Sequence, residues 1–275
     1  MGEFGCETTI CFDVRVTAGS HASLMGLLAG FAFAVIANLL GPQRSTNPER
    51  GIEACVTALV AALLTLTMAA FLYGTTAGEE VLAGRAAVMS LLSAITASIA
   101  VLALFYAMAW LARWARFSFA AEVITRLTAS GVTSVTFIYL TISSLNAVAI
   151  AEKIMVLGTP LFTVLAGLSG FMICIAALVQ VFWNSEWLTG LARSLTPHDH
   201  PERWFALASI APGLVTSLAV GVLLQFEPDS VLPRQLLYLL MGIALSYELF
   251  VIVFVRAIPV SEGRRPPQPG LPITD

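Results

Sequence analysis

The sequence predicts an all-α fold, a polytopic bundle of transmembrane helices, and three observations predict it. Hydrophobic residues make up 58% of the 275 positions and charged residues 11%, against roughly 25% charged in soluble domains. Such a chain cannot hide its apolar side chains in one water-soluble core, so a bilayer must act as solvent. Seven apolar runs reach the length needed to cross hydrocarbon, about 18–20 residues. Arginine, finally, gathers in alternate connecting segments, the pattern of a chain held in register across a membrane.

In order, the runs cover 21–40, 53–73, 83–111, 127–149, 159–183, 204–225 and 235–256. They make a transmembrane domain over 21–256, between an N-terminal tail at 1–20 and a C-terminal tail at 257–275. That last tail, SEGRRPPQPGLPITD from Ser261 onward, is Pro-rich and expected to be disordered and cytoplasmic. The third run is long enough to tilt strongly or to extend past the bilayer. Breaks such as GPQRSTNPER and TPHDHPER read as surface turns.

Orientation follows from arginine. With the N-terminus outside, the inner segments hold Arg44, Arg50, Arg113, Arg116, Arg126, Arg193, Arg203, Arg256, Arg264 and Arg265. The outer segments hold only Arg15, Arg85, Lys153 and Arg234. An N-out, C-in chain is expected. The near-exclusive use of arginine fits the coding bias of a GC-rich bacterium, so the expected location is a bacterial cytoplasmic (inner) membrane. Cys6 and Cys11 would then face an oxidising compartment, where they either bridge or remain two free thiols.

A repeat is suggested within the chain. GLLAGFAFAVIA (26–37) matches AGLSGFMICIAA (166–177), and Pro48-Glu49-Arg50 precedes the second run as Pro201-Glu202-Arg203 precedes the sixth. EEVLAGR (79–85) and PDSVLPR (228–234) introduce the third and the seventh. This would be a three-plus-one-plus-three chain with two parallel halves, an arrangement that transporters use.

Composition and spacing exclude several classes. Four cysteines show no CxxC or Cys/His spacing, and none of His21, His198 and His200 falls mid-span, so no metal or haem site is expected. A retinal Schiff base needs a lysine buried in the bundle, yet Lys153 sits beside Glu152 at a helix end. No cofactor is therefore expected. No basic patch suits nucleic acid. The N-terminus lacks the basic start and apolar core of a signal peptide. Gly167-Leu168-Ser169-Gly170 has the GxSG form of the rhomboid proteases, but no later span carries a histidine to activate the serine.

Two kinds of residue remain. Gly26, Gly30 and Ala34 on the first run, and Gly213, Ser217 and Gly221 on the sixth, form small-residue stripes at four-residue spacing. Such stripes let helix backbones approach closely, so they are expected to pack against another helix, a second copy or a membrane partner. Pro212 frees a carbonyl in the sixth run, giving a kink or a binding notch.

Glu248 is the deepest carboxylate, about 4 Å from the middle of the run Arg234–Arg256 at the standard helix rise. An acid in hydrocarbon costs a few kcal/mol and is by default functional. Tyr247, Asn38, Gln180 and Arg126 join it as candidate substrate- or ion-binding residues. Tyr106 is a further candidate partner.

The function expected first is a transporter-like or permeation protein for a small solute or ion, with Glu248 as its proton or cation site. The alternatives are a membrane enzyme using Glu248 as general acid on a lipid or isoprenoid, and a subunit or scaffold that packs on a partner protein through its small-residue faces.

Overall fold

The computed structural model describes residues 14–41, 50–79, 84–115, 117–152 and 201–227, with positions 233, 235–236, 239–240, 242–243 and 246–247. The architecture is all-helical, with no strand among the described residues. The helices are α1 (Val14–Leu40), α2 (Arg50–Ala77), α3 (Gly84–Trp114), α4 (Ser118–Leu127), α5 (Thr133–Glu152) and α6 (Pro201–Leu223), with a π-helical turn at Thr128–Val132 between α4 and α5.

Among the described residues five stretches are long and apolar enough to span: Val14–Leu40, Ile52–Ala77, Gly84–Trp114, Phe119–Ser143 and Arg203–Leu223. They correspond to five of the seven expected runs. The fifth run, 159–183, lies outside the described residues, and with it the repeat's first pairing. The described positions of the seventh run, from Gln235 to Tyr247, are all helical.

Helix boundaries differ from the apolar runs in an informative way. α1 begins seven residues before its run and draws His21 inside the helix. The fourth run begins nine residues early, at Ser118, because Phe119-Ala120-Ala121 already supplies apolar surface. Arg126, expected in a connecting segment, is therefore on a helix. Only residues 115–117 separate α3 from α4. Hydropathy marks what hydrocarbon tolerates, whereas backbone hydrogen bonding carries a helix on until a turn stops it.

The π-turn has a local cause. Thr128-Ala129-Ser130-Gly131 is rich in hydroxyls that bond back to the main chain. The Thr133 N–H and its Oγ1 both donate to the Thr128 carbonyl, five residues back, the hydroxyl at 2.8 Å. That register defines a π-bulge. Leu127 closes over Gly131, where an added Cβ would stand 3.1 Å from its Cδ1.

α3 is the hub. It packs on α1, α2, α4, α5 and α6, while α2 lies between α1, α3 and α6. Small side chains allow this: Ala86, Ala94, Ala100 and Ala107 are all 0% exposed, as are Ser93 and Thr96. α1 is the opposite case. Ala18, Met25, Ala29, Ala32, Ile36 and Leu39 are buried along one face, and Leu27, Phe31 and Phe33 point outward.

Candidate functional site

Three polar clusters lie within this bundle. The first surrounds the proline of α6. Pro212 has no N–H, so the Ala208 carbonyl four residues earlier loses its helical donor. The Tyr247 hydroxyl supplies the missing bond, donating to Ala208 O at 2.6 Å. One residue on, the Ser209 carbonyl accepts from Thr65 Oγ1 of α2 at 3.2 Å; that hydroxyl also donates to Ala61 O at 2.8 Å. Thr96 of α3 meets Thr216 of α6 hydroxyl to hydroxyl at 2.6 Å, and Thr216 donates to Pro212 O at 2.9 Å. Gly213 brings α6 close, since a Cβ there would come within 3.0 Å of Met68 Sδ. The freed Ala208 carbonyl is therefore capped by the Tyr247 hydroxyl of the seventh run, and α2 adds a hydroxyl on the next carbonyl. In hydrocarbon every such carbonyl must find a donor.

The second cluster joins α1, α2 and α5. The Tyr73 and Tyr139 hydroxyls are 2.6 Å apart, and the Tyr139 hydroxyl is 3.3 Å from His21 Nδ1. The His21 ring packs on both phenols, with centroids 5.1 and 5.3 Å away.

The third cluster ties the ends of four helices together. Glu79, just past α2, receives Arg85 Nε and Nη2 of α3 on one carboxylate oxygen at 3.2 and 2.8 Å. Arg85 Nη1 also donates to Phe226 O beyond α6 at 2.7 Å, and Arg15 Nη1 of α1 donates to Glu79 O at 3.3 Å. Deeper in the bundle an aromatic group of Tyr106, Trp110 and Phe205 packs α3 on α6, with centroids 4.6–5.7 Å apart. Among the described residues the buried Tyr106 hydroxyl has no hydrogen-bond partner.

The residues singled out in the sequence fare unequally. Glu248 and Gln180 lie outside the described residues. Tyr247 is a clasp on the α6 break. Asn38 is exposed, and its amide donates to Ala34 O of its own helix at 3.0 Å. Arg126 is exposed and ion-paired with Glu122 one turn back. Asn38 and Arg126 thus make their recorded bonds within their own helices.

Of the small residues, Gly213 is packed and Ser217 half-buried, whereas Gly26, Gly30, Ala34 and Gly221 are exposed. The reason is geometric. Residues four apart differ by about 40° around a helix, so a strict four-residue stripe winds away from any single neighbour. The buried faces instead mix steps of three and four: Met25, Ala29, Ala32, Ile36, Leu39 on α1 and Phe205, Ser209, Gly213, Thr216, Val220 on α6.

Sequence reasoning missed His21, Tyr73 and Tyr139. Tyr73 ends the series Thr57-Ala61-Thr65-Ala69-Tyr73, most of which is buried, so a signal for it existed. His21 was obscured by placing the start of the first helix too late. No pattern in α5 marks Tyr139 as its partner.

No protein-family model matches the chain, and no curated protein or solved structure matches it. The fold alone defines the class: five membrane-length apolar helices make this an integral membrane protein.

Proposed function

We propose that the protein is transporter-like, moving a small solute or ion across a bacterial cytoplasmic membrane, with Glu248 as its proton or cation site. The observation that carries this reading is the Ala208 carbonyl, which Pro212 leaves without a helical donor and the Tyr247 hydroxyl caps inside a continuous helix. A carbonyl freed within an apolar helix is a place where a polar group can be held inside the membrane. Tyr247, which clasps this one, directly precedes Glu248 in sequence. A change in the charge of Glu248 would then occur one residue from the group that caps this carbonyl. Arginine distribution supports the N-out, C-in orientation, which puts Glu248 in the inner half of its run.

The test is proton flux in dye-loaded vesicles of phosphatidylethanolamine and phosphatidylglycerol, driven by a potassium diffusion potential. Wild-type protein is expected to conduct or exchange protons, and Glu248→Gln to lower the flux about tenfold or more, because the amide cannot change charge. Equal flux in both proteins removes Glu248 from the mechanism. No flux above empty vesicles in either counts against proton coupling.

A further inference from the structure

We propose that His21, Tyr139 and Tyr73 form a proton-binding site, in which protonation of His21 reverses a hydrogen-bond chain running across α1, α5 and α2. Each phenol has one O–H, and a neutral imidazole has one donor and one acceptor nitrogen. Tyr139 stands between the other two, 2.6 Å from the Tyr73 oxygen and 3.3 Å from His21 Nδ1, and it also hydrogen-bonds the Ser143 side chain. With Nδ1 as acceptor, Tyr139 donates to His21 and its oxygen accepts from Tyr73. Among the described residues the Tyr73 hydroxyl bonds only to Tyr139, which favours this direction.

Adding a proton at Nδ1 turns that nitrogen into a donor. Tyr139 must then accept from His21, and its own O–H must turn to one of its two hydroxyl neighbours, Tyr73 or Ser143; in the chain proposed it turns to Tyr73, whose O–H then turns away. One N–H bond forms and no phenolic O–H breaks. The phenol protons only rotate. His21 is half-buried and Tyr73 is 1% exposed, so the chain carries an event from an accessible ring into the core of α2.

The groups facing His21 from packed elements are Tyr73 of α2 and Tyr139 of α5. Charged groups at the same end of the bundle are Arg15 on α1, Glu79 past α2, Arg85 on α3 and Glu227 past α6, and the first three are tied to one another. Nothing in this inference uses Glu248 or requires transport.

The test is a pH titration by NMR of the full chain in phospholipid nanodiscs, with 13C-labelled histidine. The sequence has three histidines, so His198→Asn with His200→Asn leaves the His21 signal alone, and His21→Gln confirms its assignment. The His21 ring signals are expected to move with pH as the imidazole takes up a proton. In Tyr139→Phe the charge-assisted acceptor is lost, and protonation should need about tenfold more acid. Tyr73→Phe should also move the midpoint, by a smaller amount, although its hydroxyl makes no bond to the imidazole. That remote effect is the signature of a chain. A ring whose signals do not respond to pH, or a midpoint that Tyr73→Phe leaves in place, overturns the proposal. The midpoint should be unchanged in Glu248→Gln, so lost flux with an intact titration, or the reverse, separates the two readings.

Discussion

α1 and α3 have nearly equal hydropathy and opposite surroundings. In its most apolar 18-residue window α3 is 83% buried, and α1 only 28%. The difference teaches what apolarity means in a bilayer. Lipid tails are as apolar as leucine, so hydropathy drives a helix into the membrane without deciding whether it lies at the centre or the rim. Side-chain size and hydroxyl content decide that. α3 has Ala, Ser and Thr all round, and the hydroxyls of Ser93 and Thr96 find partners within the bundle. α1 buries a single face, Ala18, Met25, Ala29, Ala32, Ile36 and Leu39, and turns Leu27, Phe31 and Phe33 outward together with Gly26, Gly30 and Ala34.

The same substitution on each helix should break the symmetry of composition most sharply. Ala100→Leu on α3 has no space and should destabilise the bundle by about 1–3 kcal/mol, whereas Ala34→Leu on α1 should stay within about 0.5 kcal/mol. Unfolding of purified protein in mixed micelles with rising dodecyl sulfate measures both. Equal effects would mean that α1 is as enclosed as α3.

A smaller effect, about 1 kcal/mol, is expected from Tyr247→Phe, which leaves the Ala208 carbonyl without a donor beside α3. The same unfolding experiment reads it, and an unchanged midpoint would show that another donor takes over. Smaller still is the Thr96–Thr216 bond. A double-mutant cycle with Thr96→Val and Thr216→Val should give a coupling of about 0.6 kcal/mol, and a coupling of zero would make the pair incidental. Last comes Gly26→Ala, where an added Cβ meets nothing within 4 Å. Stability should change by less than about 0.5 kcal/mol. If that variant instead dissociates an oligomer in cross-linking, the outward face of α1 is a seam for a second copy, the role its small residues suggest.

Much of the fold was legible because its cause is local. Runs of apolar residues gave five helices that the structure contains, and Pro212 marked the one break that needed outside donors. The polar clusters were not legible, and for a definite reason. His21 and Tyr73 are 52 positions apart, and Tyr139 is 66 beyond Tyr73. Nothing in the spacing of one helix reveals which phenol on another will meet it. Asn38 and Arg126 misled in the opposite sense. They are polar residues in or near apolar runs, as a site would require, yet each bonds within its own helix.

The sequence by itself determined that this chain is a helical membrane protein, since apolar length and scarcity of charge are additive along the chain and need no neighbours to count. Only tertiary structure decided that α3 lies at the centre, that Tyr247 and Thr65 hold the break in α6, and that an imidazole meets two phenols. Those facts depend on how each helix is rotated about its axis. In a bilayer that rotation is set by close packing and by hydroxyls seeking partners, both of which exist only between helices.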